Sequence, residues 1–349
     1  MYQGKTISVA MAAYNGEKYI QEQLDSILAQ TVVPDEIVIS DDGSRDRTVA
    51  IAEDYADWYR ETTAIKVLTN NPKHGIGGNF SWAIQHTTGD YVFICGQDDV
   101  WMQEKVQSVV DVFLKHPDAE LVCHNLSCID AEGGLLEKQK VNSIFLSKNL
   151  DTGQVFFASR NRYLEAACGN VLVSGPAVCI SKTFSEKVLP IPSKLPEDWW
   201  LQFCAAADNS VYYLHEILTA YRIHDSTCHS ANLSVPKRVR KIMQTIKGAN
   251  KRSAMFLQFA EKANVYLKGL PDADAISPAV YGSIRRIEDV GAKVADAAGL
   301  SRLKGAWRLT RLYLRDQRYH RIGVKNYLTQ LANILIYSKK RRRKELENL

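Results

Sequence analysis

Two adjacent carboxylates, Asp98 and Asp99, follow an apolar run, Tyr91 to Ile94, that is typical of a buried strand. Like charges this close repel each other, and each raises the pKa of the other unless a cation, hydrogen bonds or water compensate them. Two interpretations follow from the residues alone. The pair either belongs to a solvated loop, since Asp is a common turn residue, or it holds a divalent metal ion, which prefers carboxylate oxygens.

Two further polar clusters follow strand-like runs. Tyr14 to Glu17 comes after the run Ile7 to Ala12, and Asp41 to Ser44 comes after the run Glu36 to Ser40. In sheets of parallel strands, ligands bind at the carboxyl ends of the strands. All three polar clusters occupy such ends, and this coincidence favours one polar functional site over three unrelated loops.

The elements that would position these clusters alternate along the first part of the chain. Hydrophobic periodicity predicts strands at residues 7–12, 36–40, 65–68, 91–94 and 121–123. It predicts helices at residues 17–30, 46–59, 79–86 and 102–116. Strict alternation of this kind predicts an α/β fold in which a mostly parallel, Rossmann-like sheet is flanked by helices.

Three later segments complete this prediction. The stretch Gly75 to Gly78 matches neither the dinucleotide-binding nor the P-loop pattern, so we interpret it as a loop that admits a ligand or precedes the helix at Asn79. Pro196 and the acids Glu197 and Asp198 are typical of a helix N-terminus, and this helix is predicted to end at Ala207. A strand-like run then extends over residues 211–221.

Charge divides the chain into two parts. The 349 residues carry a net charge of +5, but residues 1–232 hold 18 Lys or Arg against 30 Asp or Glu, whereas residues 233–349 hold 26 against 9. We therefore expect an acidic domain at 1–232 and a basic, mainly helical region at 233–349. The seven Cys form no C-x-x-C pair, so reduced thiols are expected rather than a disulfide framework or a zinc site.

The basic region leaves two interpretations open. Arg alternates with Trp, Leu and Tyr at residues 306–315, an apolar run covers 327–337, and six basic residues follow at 339–344. These features are typical of a solvated helical face or of a segment that binds an anionic membrane surface. No recognition motif accompanies the charge, so nucleic acid is not an expected partner. With no signal peptide visible, we expect a cytoplasmic protein, peripheral on the inner face of the cytoplasmic membrane if the second interpretation holds.

An ordered set of motifs resembles the family 2 glycosyltransferases with the GT-A fold, and within them bacterial rhamnosyltransferases of surface polysaccharide synthesis. The resemblance covers about residues 5–230. It is carried by the segments at residues 12–20 (AAYNGEKYI), 40–44 (SDDGS), 89–91 (GDY), 97–101 (QDDVW), 197–200 (EDWW) and 221–224 (YRIH). The stretch at residues 21–30 (QEQLDSILAQ) is especially similar to the rhamnosyltransferase subgroup.

The resemblance implies an inverting transfer of a sugar from a nucleotide sugar to a glycan or lipid-linked glycan, assisted by Mg²⁺ or Mn²⁺. It implies that Asp198 is the general base, that Glu197, Trp199 and Trp200 contact the acceptor, and that the metal ligands are Asp99, Asp98 and His224. A structural role for His224, and packing of one Trp in the core, are the alternatives. Nucleotide-sugar contacts are implied at Ala13, Tyr14, Asn15, Glu17, Asp41, Asp42, Asn79, Gln97 and Asp98.

Two positions depart from the rhamnosyltransferase subgroup. Gly96 stands where that subgroup often has Asp, and Glu197 stands where it often has His. The donor could therefore be dTDP-rhamnose or a UDP-hexose. A metal-dependent phosphotransferase and a non-catalytic glycan-binding protein are the alternatives from other classes.

Overall fold

The computed structural model describes residues 1–136, 151–168, 171–224 and 249–299. These residues fall into two compact units. A sheet unit contains the described residues up to His224 together with Leu270–Ile276, and a helical unit contains the helices on either side of that segment. The boundary predicted at residue 232 and the basic segments at 306–315, 327–337 and 339–344 lie outside the described residues.

Among the described residues, the sheet unit is built around one sheet of ten strands. The strands are β1 Ile7–Ala13, β2 Glu36–Asp41, β3 Ala64–Thr69, β4 Tyr91–Cys95, β5 Val100–Trp101, β6 Leu121–Ile129, β7 Leu135–Leu136, β8 Val155–Phe157, β9 Val178–Ser181 and β10 Val211–Arg222. Their order is β3-β2-β1-β4-β9-β6-β10-β5, with β7 beside β6 and β8 beside β10. β3, β2, β1, β4, β6 and β10 share one direction, and β9 runs antiparallel between β4 and β6.

Helices cover this sheet. They are α1 Ile20–Leu28, α2 Thr48–Tyr59, α3 Ile76–Gln85, α4 Lys105–Lys115, α5 Arg160–Ala167, α6 Lys182–Val188 and α7 Glu197–Ala207. Every residue of β2 and β4 is buried, as expected for strands that are covered on both faces. The core includes Met11 on β1, Ile39 on β2, Phe93 on β4, Leu24 on α1 and Val109 on α4. The prediction of a mostly parallel sheet flanked by helices is confirmed.

The sheet brings the three predicted polar clusters to one edge. β1 pairs with β2 through Ala13 and Asp41, and it pairs with β4 through Met11 and Cys95. Because these neighbouring strands are parallel, the residues after each of them leave the sheet on the same side. Tyr14, Asp42 and Gly96 therefore start adjacent loops at the carboxyl ends of the strands.

The Gly-rich stretch is helical rather than a loop, which corrects the prediction that the helix starts at Asn79. α3 begins at Ile76, directly after Gly75, whose φ of 74° lies in the left-handed region that Gly adopts easily. Gly77 lies inside the helix, and a β-carbon at this position would lie 2.4 Å from the carbonyl oxygen of Leu195. The glycine thus permits a close approach between α3 and the segment that leads into α7.

The helical unit contains α8 Ala249–Lys268 and α9 Pro278–Gly299, which pack against each other. Buried apolar residues recur at helical spacing on both, including Phe259 and Ala263 on α8 and Val280 and Ile284 on α9. Across all the described residues, none of the helices combines the length and the apolar character that a membrane span requires.

Candidate active site

The loops after β1 and β4 are joined by one side chain. The Tyr14 backbone N–H donates to Gln97 Oε1 at 2.8 Å, and Gln97 Nε2 donates to the Tyr14 carbonyl at 3.0 Å. The Gln97 amide thus continues the β1–β4 pairing beyond the ends of the strands. Gly16 makes this possible, since a β-carbon there would lie 2.1 Å from Gln97 Oε1.

The loops after β1 and β2 are joined by a series of polar contacts. Asn15 N–H donates to Ser44 Oγ at 2.7 Å, and Asn15 Oδ1 accepts from Arg45 N–H at 2.9 Å. Glu17 Oε2 accepts from Arg47 N–H at 2.9 Å. Asn15 adopts a φ of 48°, a left-handed conformation that Asn tolerates better than most residues. Both loops are therefore held in one shape before any ligand enters.

Asp41 and Asp42 fix different parts of the rim, as we call the edge formed by the loops after β1, β2 and β4. Asp41 Oδ1 accepts from the backbone N–H groups of Gly43 and Ser44, and its Oδ2 accepts from Ser44 Oγ. Asp42 accepts from the backbone N–H groups of His74 and Gly75 at 2.6 and 3.0 Å, which fixes the loop before α3. Both acids are buried, and their hydrogen bonds hold the loop after β2 and the loop before α3 in place.

Asn79 and Ala13 tie α3 to the end of β1. The Ala13 carbonyl accepts from Asn79 Nδ2 at 3.1 Å and from Asp42 N–H at 2.9 Å. Tyr14, by contrast, is exposed, and Lys73 Nζ lies 3.9 Å from the centre of its ring. Hydrogen bonding to Lys73 and the charge of its ammonium lower the pKa of Tyr14. An aromatic ring therefore stands open at the rim, above loops that are held in place.

Asp98 and Asp99 are held by different partners, and each turns one oxygen toward the space beside Gly96, which we call the gap. Asp98 Oδ2 lies 2.8 Å from His224 Nε2, whereas Asp99 Oδ1 accepts from Arg222 N–H at 2.9 Å. The other oxygen of each acid approaches Gly96. A β-carbon at that position would lie 3.1 Å from Asp98 Oδ1 and 3.6 Å from Asp99 Oδ2. Asp99 Oδ2 is buried and finds no hydrogen-bond partner among the described residues.

The charge state of Asp99 follows from this position. Burial, followed by the negative charge of Asp98, raises the pKa of Asp99 to about 8. A buried acid with this pKa is largely protonated at neutral pH, and a cation beside Oδ2 would stabilise its ionised form. Two carboxylates beside a diphosphate are a donor set that Mg²⁺ accepts, since this ion usually keeps substrate phosphates and waters as further ligands.

The three predicted metal ligands do not form a complete set. Among the described residues, no three His, Cys, Asp or Glu side chains converge as a site that could hold a metal ion. His224 Nε2 lies 2.8 Å from Asp98 Oδ2, and the His224 ring packs against Tyr19 at 4.8 Å between centroids, so its role as a metal ligand stays a prediction. The acid pair and the orphaned oxygen of Asp99 nevertheless fit an ion that brings further ligands with it.

Sequence reasoning missed two residues that contact this acid pair, Gln23 and Arg222, and the buried cation Lys105, whose charge acts on Asp99. Gln23 Oε1 accepts from Asp99 N–H at 3.0 Å. Arg222 is buried and donates from Nε to the Asp98 carbonyl at 2.9 Å. Lys105 is fully buried, and its Nζ donates to the Pro176 carbonyl at 2.8 Å. The YRIH motif was a signal for Arg222, but nothing in the sequence separates Lys105 or Gln23 from ordinary helix-surface residues.

Glu197 and Asp198 occupy the first turn of α7, and both are buried. A β-carbon at Gly175 would lie 3.1 Å from Glu197 Oε1, 3.9 Å from Asp198 Cβ and 3.6 Å from Ile94 Cγ2. The helix start therefore lies near the end of β4, from which the loop with Asp98 and Asp99 departs. Burial, followed by the charge of Asp198, raises the pKa of Glu197 well above its usual range.

Trp199 and Trp200 pack in the core. They are 3% and 5% exposed. Their indole N–H groups donate to the carbonyls of Ala167 at 2.6 Å and Val188 at 3.1 Å. Packing, which the sequence left open for one of them, is thus what the structure shows for both. Neither indole ring exposes a face on which an acceptor sugar could stack, although such a contact was predicted for both.

Known proteins are similar to this chain in sequence. The family model for Glycosyl transferase family 2 matches residues 8–168. The chain is 29% identical over 240 residues to an uncharacterized glycosyltransferase of Nostoc sp., covering 65% of this chain and 68% of the relative. It is 28% identical over 242 residues to the dTDP-rhamnosyl transferase RfbG of Shigella flexneri, covering 66% of this chain and 78% of the relative.

A solved structure shares the fold. S. aureus TarS in complex with UDP-GlcNAc aligns with a TM-score of 0.57 over 97% of this chain and 92% of that chain, at 15% identity. At this identity the likeness concerns the fold alone. Together with the sequence matches, it shows that residues 8–168 form a glycosyl transferase family 2 domain and that the chain has a GT-A fold.

Proposed function

We propose that this glycosyltransferase transfers a sugar from a nucleoside diphosphate donor to a hydroxyl of a glycan acceptor, with inversion at the anomeric carbon. The observation that carries the proposal is the pair of acidic centres at one sheet edge. Asp98 and Asp99 present two oxygens to the gap beside Gly96, and Asp198 lies in the first turn of the buried helix α7, near the end of β4. One centre suits the departing diphosphate, and the other suits the attacking hydroxyl.

In the proposed reaction, Asp198 takes the proton of the acceptor hydroxyl as the oxygen attacks the anomeric carbon. A new C–O bond forms on one face of the sugar while the bond to the diphosphate breaks on the other. The nucleoside diphosphate leaves with the electron pair. A single displacement of this kind inverts the anomeric configuration.

The acid pair would hold Mg²⁺ or Mn²⁺. Asp99 Oδ2 and Asp98 Oδ1 are the oxygens that would bind the ion, with His224 holding Asp98 from the other side. A bound divalent ion would stabilise the negative charge that develops on the leaving diphosphate. The chain's own part is to keep both oxygens at one gap and to keep Asp99 away from bulk water.

The donor-binding rim would be formed by the three interlocked loops. Tyr14 offers an exposed ring for the nucleoside, and Asp41 would accept a hydrogen bond from the base. Asn15, Glu17, Asp42, Asn79 and Gln97 would hold these groups in place. The relative from Shigella flexneri, named as a dTDP-rhamnosyl transferase, supports dTDP-rhamnose as the donor to test first, with a UDP-hexose as the alternative.

The acceptor would be a glycan of a bacterial surface polysaccharide or lipopolysaccharide, free or lipid-linked. A lipid-linked acceptor would lie at the cytoplasmic membrane, where the basic residues of 233–349 would attract anionic lipid headgroups. The protein would then be a cytoplasmic enzyme, peripheral on the inner face of that membrane.

A thermal-shift screen tests the proposal. The protein is heated with UDP, dTDP, GDP or CDP and their sugar derivatives, in the presence of Mn²⁺, Mg²⁺ or EDTA. A nucleoside diphosphate that binds the folded protein raises Tm, and the metal should increase that rise. No shift with any nucleotide would favour the non-catalytic alternative. Phosphate release from a generic phosphoester would favour the phosphotransferase.

A further inference from the structure

Arg222 is the last residue of β10, two positions before His224, and it is buried at 1% exposure. A guanidinium out of water must find hydrogen-bond partners, because it carries five donors and a permanent charge. The partners that it finds connect three separate segments of the chain. They are the acid loop after β4, the turn after β6, and α1.

The first set of contacts is to the acid pair itself. Arg222 Nε donates to the Asp98 carbonyl at 2.9 Å, and the Arg222 backbone N–H donates to Asp99 Oδ1 at 2.9 Å. The latter contact takes up one oxygen of Asp99 and leaves Oδ2 as the oxygen without a partner. The backbone at residue 222 therefore fixes which oxygen of Asp99 faces Gly96, and the Arg222 side chain fixes the position of the Asp98 carbonyl.

The second set of contacts anchors the guanidinium. Arg222 Nη2 donates to Glu22 Oε2 on α1 at 2.6 Å, and Nη1 lies 3.3 Å from the carbonyl oxygen of Asp130 after β6. The guanidinium carbon lies 4.9 Å from the centre of the Tyr19 ring. His224, which engages Asp98, packs against this same ring. A planar fork is needed to reach these partners together, and Lys does not have one.

We propose that Arg222 is a positioning residue for the donor's diphosphate and its metal ion, acting through Asp98 and Asp99 without touching either ligand. This inference rests on the proposed function. Glu22 on α1 takes part in this positioning, because its carboxylate accepts a hydrogen bond from Nη2 of the guanidinium. The acid loop, β10 and α1 are thereby linked at one buried group.

The test compares Arg222→Lys with a matched variant, Arg160→Lys. Arg160 is also largely shielded, at 11% side-chain exposure, and it binds Asp272 with two contacts of 2.5 and 2.9 Å. This pair lies beside Asp90 and Ser210, at the amino ends of the strands. Both variants keep the charge and lose the fork, but only one of them touches the acid loop.

Binding of Mn²⁺ is followed by the loss of the free-ion EPR signal, with and without UDP or dTDP, and nucleotide binding in EDTA is measured by calorimetry. Residues that orient metal ligands typically contribute about 10- to 100-fold to metal affinity. We expect a loss of that size in Arg222→Lys when nucleotide is present, no change of nucleotide affinity in EDTA, and no loss of Mn²⁺ affinity in Arg160→Lys.

Glu22→Gln keeps the test decisive if Arg222→Lys does not fold. Glu22 is 53% exposed, so its substitution leaves the core intact. It should weaken Mn²⁺ binding in the same direction and by a smaller factor. Wild-type Mn²⁺ affinity in a folded Arg222 variant, or in Glu22→Gln, would overturn the proposal, as would an equal loss in Arg160→Lys. Wild-type protein that binds no nucleoside diphosphate with Mn²⁺ would overturn the proposed function, and this inference with it.

Discussion

At the scale of single residues, Asp198 and Glu197 are neighbours with different expected roles. We predict that Asp198→Asn lowers kcat by about 10²- to 10⁴-fold, the usual contribution of a general base, while donor affinity stays unchanged. Steady-state kinetics with the donor found by the nucleotide screen, together with calorimetry, measure both quantities. Glu197→Gln is the control, and a larger loss of kcat in that variant would move the base to Glu197.

Asp99 gives the second prediction at this scale. Asp99→Asn keeps an oxygen for the Arg222 N–H but removes the charge that faces the gap. Nucleotide binding in Mn²⁺ should weaken, whereas binding in EDTA should not change. Calorimetric titrations under the two conditions separate these effects. Equal affinities for wild type and variant in Mn²⁺ would remove Asp99 from the metal site.

The raised pKa of Asp99 gives a pH dependence. Its pKa is about 8 in the metal-free protein, well above the usual range, so most Asp99 side chains are protonated at pH 6. A metal must displace that proton, because the ligand is the carboxylate. Mn²⁺-linked nucleotide affinity should therefore increase from pH 6 to pH 8 and release a proton, which calorimetry in buffers of different ionisation enthalpy detects. The same titration in Asp99→Asn should lose that pH dependence.

At the scale of elements, the contact between α3 and the segment before α7 depends on a glycine. Gly77→Ala would place a methyl group 2.4 Å from the Leu195 carbonyl oxygen, so the backbone must move. Overpacking of this kind costs about 1–3 kcal/mol, and we expect the free energy of unfolding to fall by that amount. Chemical denaturation measures it, and kcat should fall as well because Leu195 leads into the helix start with Asp198.

Gly282→Ala is the matched control for that prediction. Gly282 lies in α9, and an added β-carbon would meet its nearest atom, Arg286 Nη1, at 3.6 Å, an ordinary contact. The substitution should be neutral or should raise stability, since Ala has the higher helix propensity. Equal losses in both variants would mean that the close approach at Leu195 is not the cause.

The sequence predicted the elements that carry the site better than the details within them. Apolar runs such as Tyr91 to Ile94 predicted the strands, and the polar clusters after them predicted the edge, because strand direction places all three there. The pattern could not reveal β9, since direction within a sheet depends on partners that are distant in the chain. It also failed at Gly77, where the need for a glycine arises from Leu195, more than a hundred positions away.

Side-chain roles were harder to predict for the same reason. Trp199 and Trp200 are the residue type that binds sugars, and only the tertiary structure shows their N–H groups bonded to Ala167 and Val188. Lysine is usually a surface residue, yet Lys105 is fully buried. Burial lowers the pKa of its ammonium to about 7. Such residues are recognised by their neighbours, which a linear pattern does not list.

At the scale of the whole molecule, the charge asymmetry gives a prediction that concerns residues 300–349. Deleting them should reduce co-sedimentation with vesicles that contain anionic lipid, since basic residues gain about 1 kcal/mol each near such a surface. Neutral vesicles and raised salt are the controls, because a Coulomb interaction is screened by salt. Co-sedimentation that is equal for the full chain and the truncated chain would contradict the membrane interpretation.

The burial of α7 has a consequence for how activity tolerates change. All eleven residues of this helix are buried, including the two acids at its start. Reactive groups on loops can be adjusted by mutations nearby, but Asp198 belongs to a helix that every surrounding side chain helps to place. Substitutions at positions such as Ala205, far along the helix, should therefore alter turnover while leaving the surface of the protein unchanged. The proposed reaction centre at Asp198 would therefore tolerate substitutions as poorly as the interior does, and its evolution would be tied to that of the core.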